Sequence, residues 1–177
     1  MDLSWLRKRP PKERTSTYRS DSMNAILGEA GEVIVVGRIQ KILEEKGLGW
    51  KVGRTGSFNS RTRTVDLGPC PETDDPWVPI ENSRLGDVHV VDHRGRRRLS
   101  FEVKASLEHD NAAIGISQLD SSEAEFLVAI TKAGFWVCSM AEARENAYRK
   151  TSAFGTFYVV PYAGVKKINL RDLFPEL

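Results

Sequence analysis

The sequence predicts an α/β domain, on the basis of two strand-like runs, one long helical segment and the length of the chain. Residues 88–91 and 99–103 are rich in Val, Leu and Phe and flank a polar run that contains Gly95, a pattern typical of a β-hairpin. Apolar residues recur at steps of three and four in residues 22 to about 46, which indicates a helix. A chain of 177 residues can bury one proper core.

The first half of the chain is predicted to hold one helix, one short strand and a long loop. The helix of residues 22–46 is expected to end at Gly47, because glycine is common just after the last turn of a helix. Residues 50–54 are predicted to form a short, edge-like strand. Residues 55–84 are rich in Gly, Ser, Thr, Asn and Pro, with a strand-like run only at residues 62–67. Most of this stretch is therefore expected to be loop, and loops of such length are usually functional or disordered.

The second half is predicted to alternate helices and strands. A helix at residues 126–130 is an alternative to a strand there, because short apolar runs are ambiguous. Pro161 confines the strand that contains it to an edge or an end of a sheet. The predicted elements are a helix at 112–124, strands at 125–130 and 135–140, a polar helix at 141–150 and a strand at 155–162.

Composition and charge exclude some classes of protein. The two cysteines, Cys70 and Cys138, lie in dissimilar contexts, so we expect reduced thiols in a cytoplasmic protein. No apolar run is long enough to span a membrane, so we expect no membrane partner. The formal net charge is only +2, but basic residues cluster at 7–19, 61–63 and 94–98. Such local clusters can bind phosphate groups even when the total charge is near zero.

The predicted hairpin gathers three charged side chains. Side chains alternate between the two faces of a strand, so Glu102 and Lys104 share one face of the second strand. Asp87 lies on the face opposite to Val88 in the first strand. If the apolar side chains enter one core, then Asp87, Glu102 and Lys104 meet on the other side of the sheet. Two carboxylates held together are costly unless they bind something, and a hard divalent cation is the natural occupant. The alternative is a solvated ion pair on a surface strand.

This constellation resembles the PD-(D/E)XK nuclease superfamily. The match consists of Asp87, then Glu102-Val-Lys104, with Gly86 where the family name has Pro, and it covers roughly residues 22–140. The resemblance implies a restriction-endonuclease-like fold, in which helices flank a mixed central β-sheet with an αβββαβ core. We expect this domain to occupy residues 21–177 and to follow a basic N-terminal arm at residues 1–20.

The resemblance also implies a metal site and a set of catalytic residues. Asp87 and Glu102 would bind one Mg²⁺ ion, or Mn²⁺ in its place, with the carbonyl of Val103 as a third ligand. Lys104 would orient or deprotonate the attacking water, or stabilise the charge that builds up on the phosphate. Asp66 is a weaker rival to Asp87, because no clear apolar strand follows it.

The helices are expected to contribute to the same site. The first helix of the family often supplies an acid, and Glu32 fits that position because it continues the apolar stripe of the predicted helix. We prefer Glu32 to Glu29, which lies on a neighbouring stripe, while a Glu favoured by the helix dipole is the alternative. Similar folds often place a Gln or Lys on the second helix, so Gln118 is a candidate accessory residue, with an exposed helical Gln as the alternative.

The resemblance implies a metal-dependent DNA endonuclease that hydrolyses phosphodiester bonds in double-stranded DNA and that we expect to be a homodimer. The long loop favours sequence-specific, restriction-type cleavage. The alternatives are a structure-specific nuclease, such as a Holliday-junction resolvase, and a non-catalytic DNA-binding module of the same fold. The residues proposed to contact phosphates or base edges are Arg54, Asn59, Arg61 and Arg63.

Overall fold

The computed structural model describes residues 22–68, 76–80, 84–153 and 155–177. The predicted N-terminal arm at residues 1–20 lies outside the described residues, as does part of the stretch at 55–84. In the part of the chain that the structure describes, no helix combines the length and the apolar character needed to cross a membrane.

The described residues form three α-helices, eleven strands and two short 3-10 helices. The helices are α1 (Ser22–Glu45), α2 (Ile116–Ser121) and α3 (Met140–Asn146). The first strands are β1 (Lys51–Gly53), β2 (Ser57–Asn59), β3 (Thr64–Asp66), β4 (Trp77–Pro79), β5 (Val88–Val91) and β6 (Arg97–Ala105). They are followed by β7 (Ala112–Gly115), β8 (Phe126–Thr131), β9 (Gly134–Ser139), β10 (Tyr148–Ser152) and β11 (Gly155–Val160). The 3-10 helices are Tyr162–Gly164 and Leu170–Leu173.

A mixed five-stranded sheet forms the centre of the fold, with the strand order β1-β5-β6-β8-β9. Strands β6 and β8 are parallel, and the other neighbours are antiparallel. The predicted hairpin is confirmed as β5 and β6, and β1 is the predicted edge strand. The two strands expected near residues 125–140 are confirmed as β8 and β9, so the helical alternative is wrong. The α/β class is therefore correct.

Helix α1 packs on one face of this sheet, and its bounds agree with the prediction to within one residue at its C-terminal end. Burial of each of its aliphatic core side chains stabilises the fold by about 1.5–3 kcal/mol. Because strand residues alternate, the even-numbered residues of β6 point to the opposite face. The cluster between helix and sheet contains Val35, Ile39 and Leu43 of α1 and Val88, Val90, Phe101, Val103, Val128 and Val137 of the sheet.

A second, three-stranded sheet with the order β10-β11-β7 covers the other face. Ala112, Ile114 and Val160 from this sheet pack against Leu127 and Ala129 of β8. The register pairs Glu102 with Leu127 and Lys104 with Ala129, and paired neighbours point to the same face. The charged residues of β6 therefore lie on the face that the second sheet and the short helices cover.

Two helix predictions need correction. Residues 112–115 were expected to begin a helix but form β7, because they pair with residues 157–160 of β11. Only Ile116–Ser121 is helical there. The helix expected at 141–150 ends at Asn146, and the next residues form β10. In both places, pairing with a strand that is distant in sequence overrides the local helical preference.

The stretch at 55–84, expected to be mostly loop, contains a third small sheet with the order β3-β2-β4. Its strands are three residues long, which is too short for alternation to be visible in the sequence. The side chains of Val65 and Ile80 are buried against Val91 of β5. The small sheet therefore packs on the central one.

A buried carboxylate organises the turn between β5 and β6. Asp92 is 2 % exposed, and its oxygens accept hydrogen bonds from the backbone amides of Arg94 and Arg96 at 2.8 and 3.0 Å. The guanidinium groups of Arg96 and Arg98 also donate to it, at 2.9 and 3.1 Å. Burial alone would raise the pKa of Asp92, but the two backbone amides and Arg96 outweigh it and hold the pKa well below its usual value.

We predict that Asp92→Asn destabilises the protein and that the loss depends on pH. The folded-state pKa is depressed, so the stabilisation is present above the ordinary value of 3.8 and is lost as the pH falls below it. The difference in free energy of unfolding between wild type and Asp92→Asn, measured with urea, should therefore be largest at neutral pH. Asp66→Asn is the control, because Asp66 is exposed and its carboxylate accepts a local bond from the Gly68 amide. Equal losses in both variants would contradict this account.

Candidate active site

The candidate site lies where β5 begins and β6 continues beyond it. Val88, the first residue of β5, is paired with Phe101, whereas β6 extends to Ala105. Residues 102–105 therefore have no ladder partner in β5, and the sheet opens between the two strands. Asp87 directly precedes β5, so it lies at this opening, next to the residue pair Val88–Phe101.

Asp87 bridges this opening with its backbone and its side chain. Its amide donates to the carbonyl of Phe101 at 2.8 Å, and its Oδ2 accepts a hydrogen bond from the amide of Val103 at 2.8 Å. The N–H and C=O groups of one strand residue point to the same side of the strand. The Val103 carbonyl therefore faces the same opening as the carboxylate of Asp87.

The backbone before Asp87 requires glycine. Gly86 has a φ of +103°, a conformation that other residues rarely adopt. A Cβ atom at this position would lie 2.8 Å from the Phe101 carbonyl oxygen and 3.0 Å from the Cβ of Ala124. Proline would fix φ at about −65°, so it could not adopt the backbone conformation found at this position.

A buried histidine supports the same turn. His89 is 0 % exposed, and its Nε2 forms a hydrogen bond with the carbonyl of Gly86 at 3.1 Å. Burial lowers the pKa of His89 to about 4, although the bond to Gly86 opposes the shift. The imidazole is therefore neutral at neutral pH and donates from Nε2. The sequence alone did not indicate this role of His89.

Glu102 and Lys104 form an ion pair on the face away from α1. The distance between Lys104 Nζ and Glu102 Oε1 is 2.8 Å, and the two side chains are 19 % and 8 % exposed. Burial would lower the pKa of Lys104, but attraction to Glu102, Asp87 and then Glu32 outweighs it and raises the pKa. The three acids that raise this pKa are the other residues proposed to be catalytic.

Helix α1 supplies Glu32 because it approaches β6 closely. A Cβ at Gly31 would lie 3.1 Å from the Cβ of Ala105, so glycine lets the helix come near the end of the strand. The next residue, Glu32, is buried and forms an ion pair with Arg54 at 3.1 Å between Oε2 and Nε. Glu32 therefore lies near the end of β6 that also carries Lys104.

Arg54 belongs to the cluster, whereas we proposed it as a DNA contact. It directly follows β1, whose last residue, Gly53, is paired with His89, so it emerges at the same end of the sheet. Its side chain is 15 % exposed and faces Glu32. The strand order of the sheet, which the sequence did not reveal, is the reason that this role was missed.

The remaining sequence-predicted residues lie elsewhere. Asn59 is buried, and its Oδ1 accepts hydrogen bonds from the amides of Arg61 and Thr62 at 3.0 and 3.1 Å, which gives it a structural role in the turn after β2. Arg61 and Arg63 are exposed in this turn. Gln118 is exposed on α2, and its Oε1 accepts from the Gly115 amide at 3.3 Å, so its contact is with the start of its own helix.

No family model, curated protein or solved structure matches the chain. The assignment of the site therefore depends on its geometry.

The donor atoms of the cluster fit Mg²⁺. Across the described ranges, no group of three or more His, Cys, Asp or Glu side chains is arranged to hold a metal ion. Mg²⁺ does not need such a group, because it keeps several waters and commonly takes one or two carboxylates together with substrate phosphates. Asp87 and Glu102 with the Val103 carbonyl would supply only oxygen ligands, which this ion prefers.

We predict that Gly86→Ala is more harmful than Gly134→Ala, although both glycines have a φ of +103°. A side chain at φ > 0 costs about 1–2 kcal/mol in either place. A Cβ at Gly134 meets nothing within 4 Å, whereas at Gly86 it collides with the backbone of Phe101. We expect an additional loss of about 1–3 kcal/mol for Gly86→Ala, measured by urea denaturation.

Equal destabilisation by the two substitutions would show that the backbone at Gly86 is not confined by β6. Gly134→Ala is a matched control, because the two glycines have the same φ and differ in the atoms that surround them.

Proposed function

We propose that the protein is a Mg²⁺-dependent DNA endonuclease of the PD-(D/E)XK type. The observation that carries the proposal is the convergence of Asp87, Glu102 and Lys104 at the open end of β5 and β6. They are the residue types that the resemblance requires, and all three lie at the end of the mixed central sheet where β5 and β6 separate. Glu32 from the first helix adds the acid that the family often supplies there.

Charge supports phosphodiester hydrolysis at this site. Glu32, Asp87 and Glu102 oppose Lys104 and Arg54, so the cluster carries one net negative charge in its ionised form. A phosphodiester would be repelled by these carboxylates unless a cation joined them. In the proposal, Asp87, Glu102 and the Val103 carbonyl hold Mg²⁺, which supplies charge neutralisation and a water of lowered pKa.

Lys104 is proposed to stabilise negative charge on the phosphate. Its ammonium is paired with Glu102 at 2.8 Å, and a protonated amine has no lone pair with which to accept a proton. Of the roles open from the sequence, orientation of water and stabilisation of the phosphate therefore fit better than deprotonation. Positioned donors of this kind contribute about a hundredfold to a thousandfold in rate.

Sequence specificity is proposed to come from the small sheet of β2, β3 and β4. Arg61 and Arg63 are exposed in the turn between β2 and β3, where they can reach phosphates or base edges. Neither residue is used inside the protein core. The homodimer and sequence-specific cleavage stay predictions from the sequence.

One specific feature favours a second candidate, a non-catalytic DNA-binding module. The pairs Lys104–Glu102 and Arg54–Glu32 neutralise two of the three acids without any metal. Such a cluster could therefore hold the sheet end together as a structural ion-pair network. This candidate predicts DNA binding that does not depend on Mg²⁺ and no cleavage.

We predict that the wild-type protein cleaves supercoiled plasmid DNA with Mg²⁺ and that Asp87→Asn and Lys104→Gln lower the rate by about a hundredfold or more. Asp87→Asn removes a charged metal ligand but keeps an acceptor for the Val103 amide. Lys104→Gln removes the positive charge beside the phosphate. Cleavage is followed by gel electrophoresis, and EDTA should abolish it.

Asp172→Asn is the matched control, because Asp172 is an exposed acid in the 3-10 helix Leu170–Leu173, outside the small sheet proposed to contact DNA. It should cleave like the wild type. If Asp87→Asn and Lys104→Gln cleave as fast as this control, the proposed site is wrong. Thermal unfolding of each variant separates loss of chemistry from loss of fold.

A further inference from the structure

An ion pair between Arg54 and Glu32 lies beside the proposed metal ligands. Arg54 Nε is 3.1 Å from Glu32 Oε2, and both side chains are largely buried. Arg54 directly follows β1, in which Gly53 is paired with His89 of β5. The ion pair therefore lies at the end of the central sheet where β5 begins, which is also the end where β6 is open.

The formal charges of the cluster balance with a single divalent cation. Its three acids and two bases leave one net negative charge when all of them are ionised. One Mg²⁺ ion would convert this to one positive charge, which the single negative charge of a phosphodiester neutralises. A second Mg²⁺ ion would leave two further positive charges without partners in a largely buried site, and such charges are costly. The charge balance therefore favours one metal ion.

Glu32 lies apart from the carboxylates proposed to bind the metal. Asp87 and Glu102 belong to the segments of β5 and β6, whereas Glu32 comes from α1 and is paired with Arg54. Within the part of the chain that the structure describes, which includes these three acids, no three His, Cys, Asp or Glu side chains are arranged to hold a metal ion. Glu32 still adds its charge to the cluster, because it helps to raise the pKa of Lys104.

A guanidinium is well suited to replace a second metal ion. In two-metal sites, the second ion adds positive charge where the attacking and leaving oxygens of the phosphate lie. Arginine is protonated at every relevant pH, and it is the preferred cation in buried ion pairs and in phosphate recognition. Arg54 therefore brings to the cluster a permanent positive charge that does not depend on the metal concentration.

We propose that Arg54 takes the place of a second metal ion, because its pairing with Glu32 limits the candidate site to one Mg²⁺. This inference rests on the proposed function, since it concerns the metal that the candidate nuclease would use. It makes Arg54 a positioning residue that acts through Glu32, in a role that lies outside the Asp87 and Glu102-Val-Lys104 motif.

The experiment counts the Mn²⁺ ions that the full-length protein binds without DNA, by isothermal titration calorimetry and by electron paramagnetic resonance of free Mn²⁺. Arg54→Gln removes the charge, Arg54→Lys keeps it, and Glu32→Gln/Arg54→Gln removes both partners and so restores the net charge. Arg96→Gln is the matched control. It removes a cation 2.9 Å from another buried carboxylate, Asp92, at the opposite end of β5.

We expect about one Mn²⁺ per chain for the wild type and about two for Arg54→Gln. In this variant the cluster carries two net negative charges, and the Glu32 carboxylate has lost the guanidinium. Arg54→Lys and Arg96→Gln should each bind one ion. Glu32→Gln/Arg54→Gln should also bind one, with an affinity close to that of the wild type, because Asp87 and Glu102 remain.

Thermal unfolding of each variant, with and without Mn²⁺, separates metal binding from loss of fold. Arg54→Gln leaves a buried carboxylate without this cation, which destabilises the protein. Mn²⁺ should raise the Tm of this variant more than that of the wild type, because a second ion binds the folded state. If Arg54→Gln does not fold even with Mn²⁺, the double variant decides. A loss of about tenfold or more in its Mn²⁺ affinity would show that Glu32 is a metal ligand and would overturn the inference.

The outcomes separate this inference from the proposed function. If the wild type binds no Mn²⁺, the proposed metal site and the inference are both wrong. If the wild type binds two ions, or if Arg54→Gln binds only one, the inference alone is overturned and the metal-dependent nuclease stands. If Arg54→Lys or Arg96→Gln also gains an ion, the gain does not depend on the charge of Arg54, and the inference is again wrong.

Discussion

The candidate site depends on one constraint, which is that β5 must leave β6 at Gly86. Gly86 has a positive φ, and the carboxylate of the next residue, Asp87, accepts a hydrogen bond from the Val103 amide. In a regular antiparallel ladder, a backbone carbonyl of the neighbouring strand would accept that bond. Hydrogen bonds to charged groups contribute about 1.5–3 kcal/mol. One side chain thus satisfies the backbone at the open end of β6 and remains near Glu102 and Lys104.

The electrostatic cluster follows from this opening. The three acids come from α1, from the residue before β5 and from β6, so three separate segments must meet for the cluster to form. Burial of several charges is costly unless they are paired, and Lys104 and Arg54 provide the pairing. Gly31 has no Cβ atom, so α1 comes close enough to β6 for Glu32 to join the charged cluster. A site assembled in this way is sensitive to backbone changes at either glycine.

The elements with strong local patterns were predictable from the sequence. Helix α1, the β5–β6 hairpin and strands β8 and β9 have clear periodicity or apolar runs. The alternation along β6 also placed Glu102 and Lys104 on the face opposite to the α1 core. The predicted hairpin grouped Asp87 with these two residues, and the resemblance to a known motif added Glu32 as a candidate.

Features set by contacts distant in sequence were not predictable. Strand β7 depends on pairing with β11, and the three-residue strands of the small sheet depend on packing against Val91. Arg54 could be assigned to the cluster only once β1 was placed beside β5. Asn59 was proposed as a DNA contact, and its use in closing a turn became visible only from its hydrogen bonds. The role of His89 likewise needed the folded distance to Gly86.

The most direct test of the central claim is anomalous diffraction from crystals soaked in Mn²⁺. The account predicts a manganese peak between the carboxylates of Asp87 and Glu102, within coordination distance of the Val103 carbonyl. A peak elsewhere, with none at this position, would contradict the proposed metal site.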